Sequence, residues 1–156
     1  MRKLIDCTVR AVSPLVKCGY RPAVGVMVSI RDQAGARADA VDALELELPA
    51  GVTLCDLIRT RVREEVAKAN VAAARGREFH TLVQPVDAEV TLNGYRLREG
   101  RTIDWRRQAD KAEEAFLGNG FFVLVDGRQV AELDEELALT ADSDIRFVRL
   151  TALVGG

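Results

Sequence analysis

Ala43-Leu-Glu-Leu-Glu-Leu-Pro-Ala-Gly-Val-Thr-Leu-Cys-Asp-Leu57 changes its apolar period halfway along. Ala43 to Leu48 alternates apolar and acidic residues, which suits a strand with one buried face. Pro49 and Gly51 then stop the strand. From Leu54 onward the spacing is helical, and Leu54, Leu57, Ile58, Val62, Val66 and Ala69 fall on one face. The opposite face carries Arg59, Arg61, Arg63, Glu64, Glu65 and Lys68. Thr53 is the predicted N-cap, and Asp56 three residues on makes an acidic variant of the capping box. The predicted helix runs from Leu54 to Ala74, with Gly76 as its stop.

Upstream, Val24 to Ile30 is rich in β-branched residues and reads as a strand. Arg31 to Asp39 is polar around Gly35 and reads as a turn, so this strand and Ala43–Leu48 form a hairpin. Within residues 1–23, Leu4 to Val12 has strand character, and Pro14, Gly19 and Pro22 break any regular element beyond it. Downstream, Glu89 to Leu97 reads as a hairpin turning at Asn93-Gly94. Thr102 is a predicted cap for a helix from Ile103 to Leu117, whose apolar points are Trp105, Ala109, Ala112, Ala115 and Phe116. Phe121-Phe-Val-Leu-Val125 is the strongest strand signal, and Asp126-Gly127 turns it into Arg128–Val130. Leu133 to Thr140 is acidic and leads to a turn at Ala141–Asp144. The last strand is Ile145 to Leu150, and Leu153-Val154-Gly155-Gly156 ends the sequence.

The composition is that of an ordinary globular chain. Of 156 residues, 48% are apolar and 29% charged, and the net charge of −2 gives no global attraction to nucleic acid or anionic membrane. No apolar run reaches the ~18 residues of a membrane span. Asp6, Arg10 and Lys17 interrupt the basic N-terminus, so it does not read as a signal peptide. The expected location is cytoplasmic. Cys7, Cys18 and Cys55 are odd in number and lack paired spacing, so no disulfide framework or zinc site is expected. Cys55 lies at a predicted helix N-terminus, where a thiol pKa is lowered; the alternative reading is a small buried hydrophobe. His80, the only histidine, cannot build a multi-histidine metal site.

Three stretches carry a resemblance. Leu46-Glu-Leu-Pro-Ala-Gly-Val-Thr-Leu-Cys-Asp-Leu57 is similar to the strand, Pro-x-Gly-x-Thr turn and helix of the sulfur-carrier proteins of thiamine and molybdopterin synthesis. Val123-Leu-Val-Asp-Gly-Arg-Gln-Val130 is similar to their valine-rich hairpin. Asp142 to Gly156 is similar to their Asp-rich turn, last strand and diglycine tail. The chain thus resembles the ubiquitin-like β-grasp family, which includes protein modifiers with the same fold and tail. The implied fold is α+β, a mixed sheet wrapped on one main helix. The implied organisation is a single β-grasp domain over residues 1–156. Residues 1–23 are an N-terminal extension, and residues 77–118 an ordered insertion between the main helix and the next strand.

The resemblance implies a carrier, not an enzyme. It binds no cofactor of its own; a separate ubiquitin-activating-like enzyme uses ATP to adenylate the Gly156 carboxylate. The activated end then passes to a downstream sulfur acceptor or a conjugation target. Gly155 and Gly156 are the attachment site, since two residues without Cβ thread a narrow slot as bare backbone. Such a pair arises by chance in about one chain in two hundred, so the strand before it and the order of elements carry the argument. Arg146, Phe147, Arg149, Leu153 and Val154 are docking candidates, although one alternating set of the last strand must be core. The alternative class is a non-covalent β-grasp interaction module with an incidental Gly-Gly end.

Charge is unevenly placed. Arg59 to Arg77 and the cluster Arg96, Arg98, Arg101, Arg106, Arg107 are basic; Glu132, Asp134, Glu135, Glu136, Asp142 and Asp144 are acidic. This suits either electrostatic steering of a partner or solvated surface. Trp105 beside Arg106 and Arg107 has the residue types of a nucleic-acid contact. Asp104 and Asp110 flank it, and neither a nucleic acid nor a membrane partner is expected.

Overall fold

The first helix, α1 (Leu54–Ala74), begins where the sequence places its cap. In the computed structural model, which describes residues 25–34, 41–49 and 51–149, Thr53 Oγ1 accepts a hydrogen bond from the Asp56 N–H at 3.2 Å. The Asp56 carboxylate accepts one from the Thr53 N–H at 3.3 Å. The N–H groups of Leu54 and Cys55 donate to the carbonyls of Glu135 and Leu133, at 3.0 and 2.8 Å. The donors that a helix start leaves unpaired are thereby met by its own cap and by the acidic segment. Thr53→Ala removes the hydroxyl that accepts the Asp56 N–H and leaves the backbone half of the pair; we expect a loss of about 1 kcal/mol, read as a lower midpoint in urea with an unchanged slope.

Five strands form one mixed sheet. β1 (Gly25–Ala34) pairs antiparallel with β2 (Val41–Pro49). Both strands extend further than the sequence suggests: Arg31–Ala34, expected as turn, continues β1. The reason is a second partner. β9 (Asp144–Arg149) lies parallel to β1 from Ser29↔Asp144 to Ala34↔Arg149, and this pairing holds the polar half of β1 extended. β9 also pairs antiparallel with β6 (Phe121–Val125), which pairs with β7 (Arg128–Val130). The order across the sheet is β2-β1-β9-β6-β7. A parallel pair needs a long crossover, and α1 lies within it. The fold is α+β, a mixed sheet with two helices.

The core lies between the sheet and the helices. Val28 and Ile30 of β1, Leu46 and Leu48 of β2, Val123 of β6, and Ile145 and Phe147 of β9 point inward. They meet Leu54, Leu57, Ile58, Val62 and Val66 of α1. The whole apolar face read from the sequence, including Ala69, is buried. Arg61 is not on the solvent face where the helical period puts it; it is 1% exposed.

Residues 77–118 hold a second helix and a hairpin. β4 (Ala88–Thr91) and β5 (Gly94–Leu97) pair in register, so the two-residue turn is Leu92-Asn93, one position before the expected Asn93-Gly94. Tyr95 exchanges backbone hydrogen bonds with Phe79, and a Cβ on Gly94 (φ +141°) would lie 2.5 Å from the Phe79 carbonyl oxygen. That close approach requires glycine and fixes the turn earlier. The second helix, α2, spans Trp105–Leu117 and is capped by Asp104, whose carboxylate accepts the Arg106 N–H at 2.9 Å. The expected cap, Thr102, lies outside it. Ala109, Ala112 and Phe116 enter the same core as the sheet, so α2 is part of the main body. A smaller cluster, Ala69, Phe79, Ala88 and Leu97, seats the hairpin on the end of α1.

Two short strands complete the fold. β3 (Val52–Thr53) pairs with β8 (Glu136–Leu137), inside the acidic stretch, so this stretch is fastened beside the start of α1. The turn after β6 is Asp126-Gly127, both at positive φ, as its sequence requires.

Candidate functional site

The last strand is the natural place to look, because it leads in sequence to the glycine pair. Alternation gives each side of β9 a separate role. Ile145 and Phe147 face inward and are fully buried. Phe147 is therefore core and cannot be a docking residue. Its ring lies against Phe121 at 5.8 Å and under the Arg61 guanidinium at 4.1 Å. Arg146 faces solvent, as a docking residue should, and is held by Asp144 at 2.6–2.8 Å. The hydrogen bond and attraction from Asp144 raise the pKa of Arg146 above its ordinary value. Arg149, on the inner rim, donates to the Thr81 carbonyl at 3.4 Å. Leu153, Val154, Gly155 and Gly156 lie outside the described residues, as does Leu4–Val12.

The outer face of the sheet supplies what Phe147 does not. Direct strand partners share a face. Phe122 stands opposite Val148, and Leu124 opposite Arg146; Arg31 is the partner of Arg146 on the other side. Phe122, Leu124 and Val148 are half-buried, and Arg31 and Arg146 are exposed. The result is an apolar strip with two cations along its border. The sequence carries a signal for it: neighbours in a strand point to opposite faces, so one ring of Phe121-Phe122 must be outward.

On the inner side, one polar cluster ties the root of β9 to the rest. Arg61 Nη2 lies 2.7 Å from the Asp32 carboxylate and 2.6 Å from Glu65; Nε also donates to Glu65, at 2.8 Å. Glu65 uses its other oxygen to accept the Leu82 N–H at 2.9 Å. α1, β1, β9 and the Thr81–Leu82 segment thus meet at one buried guanidinium. Arg61 Nη1 has no hydrogen-bond acceptor, and the stack over Phe147 is the attraction open to the remaining edge of the group.

Among the described residues, Cys55, Arg59 and Trp105 have structural partners. Cys55 is buried, its Sγ 3.5 Å from a Glu113 oxygen, and this fits the reading as a small core residue. Arg59 pairs with Glu113 and with Asp110, joining α1 to α2. Burial lowers the Arg59 pKa, but its two carboxylate partners outweigh this and the net shift is upward. Trp105 is flanked by Arg63 and Arg106, at 5.6 and 4.7 Å from its ring. No metal-binding cluster of histidine, cysteine and carboxylates occurs among the described residues.

No family model, curated protein or solved structure matches the chain. No helix among the described residues is long and apolar enough to cross a membrane.

Proposed function

We propose that this chain is a β-grasp carrier whose Gly155-Gly156 end is activated by a separate enzyme. The observation that carries this reading is the sheet order β2-β1-β9-β6-β7, with β1 and β9 parallel at its centre and α1 in the crossover. The resemblance implies a mixed sheet wrapped on one main helix, and this order is compatible with that. It also sets the strand that leads to the glycines in the middle of the sheet, flanked on the outer face by Phe122, Leu124, Val148, Arg31 and Arg146. In this reading the strip docks the activating enzyme while the tail enters its active site. Residues 77–118 are an elaboration of the β-grasp body.

The chemistry belongs to the partner. A Gly156 carboxylate oxygen attacks the α-phosphorus of ATP and displaces pyrophosphate, leaving an acyl adenylate. A sulfide equivalent attacks the carbonyl carbon, expels AMP and leaves a thiocarboxylate. Alternatively, a cysteine thiolate expels AMP to give a thioester, and a lysine amine displaces that thiolate to give an isopeptide. Either route uses the same electrophilic carbon.

The test is an N-terminally tagged chain expressed in its native host, beside a variant lacking Gly156, read by denaturing blot and intact mass. Reductant-resistant heavier bands that vanish in the variant are expected for a protein modifier. A free form heavier by one oxygen-to-sulfur exchange is expected for a sulfur carrier. An unchanged mass and no ladder, in cells where the protein acts, overturns the proposal and leaves a non-covalent binding module.

A further inference from the structure

The end of α1 forms a groove that the carrier reading leaves unused. The chain reverses sharply there: Arg75 and Arg77 both donate backbone N–H groups to the Ala72 carbonyl, at 3.0 Å. The reversal lays Arg77 back along the helix and closes one side of a shallow trough of about 380 Å³, lined by Ala67, Lys68, Val71, Ala72, Arg75 and Arg77. That volume is within the ~300–1,000 Å³ typical of ligand sites. Its floor is apolar, and Val71 is 55% exposed, although it stands in a helix whose opposite face is core. Its rim carries three cations.

Those cations are uncommitted. Lys68, Arg75 and Arg77 form no ion pair with any described residue. Two carboxylates near them in sequence are taken, since Glu65 holds Arg61 and Glu78 holds Arg96 at 2.9 Å, and Glu64, one turn before Lys68, forms no ion pair with it. Three positive charges around an apolar floor are complementary to one kind of occupant. We propose that this groove docks an acidic peptide segment of a partner protein, with one aliphatic side chain seated against Val71 and carboxylates on Lys68, Arg75 and Arg77. Nucleic acid fits less well, since the groove has no aromatic ring on which a base would stack. A lipid surface fits less well, since a single valine gives little apolar area to insert.

The helix C-terminus offers a different explanation for two of the cations, because its partial negative charge favours positive side chains nearby. The experiment separates the two. A fluorescein-labelled peptide of eight glutamates around one central leucine is titrated against the full chain by anisotropy at low and moderate salt. Competitors are its all-lysine counterpart, its leucine-to-serine counterpart, a single-stranded oligonucleotide, and anionic vesicles of phosphatidylserine and phosphatidylcholine. Saturable binding to the acidic peptide is expected, weakened by salt. Arg75→Glu with Arg77→Glu should weaken it at least about tenfold, and Val71→Ser about threefold. Far-UV circular dichroism of each variant should be unchanged. Lys68→Glu alone should also weaken binding, and it lies too far from the last turn to act through the helix end. Absence of saturable binding, equal binding of the lysine peptide, or tighter binding of oligonucleotide or vesicles overturns the proposal. Variants that lower thermal stability and leave peptide binding intact overturn it too.

Discussion

Arg61→Met should destabilise the fold by about 3–5 kcal/mol, the range for breaking a buried ion pair from one side. Methionine fills much of the volume of the arginine stem but leaves Asp32 and Glu65 facing each other without their cation. Glu65 is tied to the Leu82 N–H and cannot swing to solvent without releasing that segment. Arg61→Lys should recover only part of the loss. A lysine ammonium cannot reach two carboxylates and stack flat on the Phe147 ring together. Removing all three charges, with Asp32→Asn, Glu65→Gln and Arg61→Met combined, should be milder than Arg61→Met alone, because no uncompensated charge remains. Equilibrium denaturation in urea reads all three. A single-variant loss below about 1 kcal/mol would mean the cluster is solvated and the guanidinium does not bind the fold together.

Phe147→Ala should cost about 3–5 kcal/mol, since the ring is fully buried between Phe121 and Arg61. Its loss removes the stack under Arg61 as well as apolar area, so the two substitutions should couple in a double-mutant cycle. Phe122→Ser, one strand away and on the other face, is the contrasting case. It is only half-buried and should cost about 1 kcal/mol. On the proposed carrier reading it should instead reduce adenylation of Gly156, and Arg146→Glu should do the same. If Phe147→Ala were well tolerated and Phe122→Ser unfolded the protein, the assignment of the two faces would be reversed.

The two phenylalanines show where sequence reading stops. Alternation establishes that β9 has an inner and an outer set, but only the register with β6 says which is which. Phe122↔Val148 and Val123↔Phe147 sort the two sets, and the full burial of Val123 and Phe147 makes theirs the inner one. The main helix is legible from cap to stop, because capping chemistry and a 3.6-residue period are local. Arg61 is not legible, because the period assigns it to the charged face. Its burial depends on Asp32, a residue from a stretch that reads as turn, and on a parallel partner far along the chain. The acidic run after β7 has no strand signal of its own, and its pairing with β3 stays hidden because two-residue strands have no period.

The charge asymmetry also gains a physical reason. The carbonyls of Leu133 and Glu135 bind the first N–H groups of α1, so the acidic segment flanks the positive end of the helix dipole. The acidic half of the asymmetry thus has a structural role at the start of the helix.

The parallel pairing of β1 with β9 sets the timing of folding on the ribosome. Ile30 meets Ile145, so the centre of the sheet closes only when nearly all of the described chain has been synthesised. Until then β1 of the first hairpin and β6 of the second each keep open the edge that β9 later pairs. Such edges are templates for wrong pairing between nascent chains. A pause in translation before β9 emerges should therefore be costly, and slowing synthesis just upstream of Asp144 should raise the insoluble fraction. The strand that leads to the glycines is also the one that joins the two halves of the sheet.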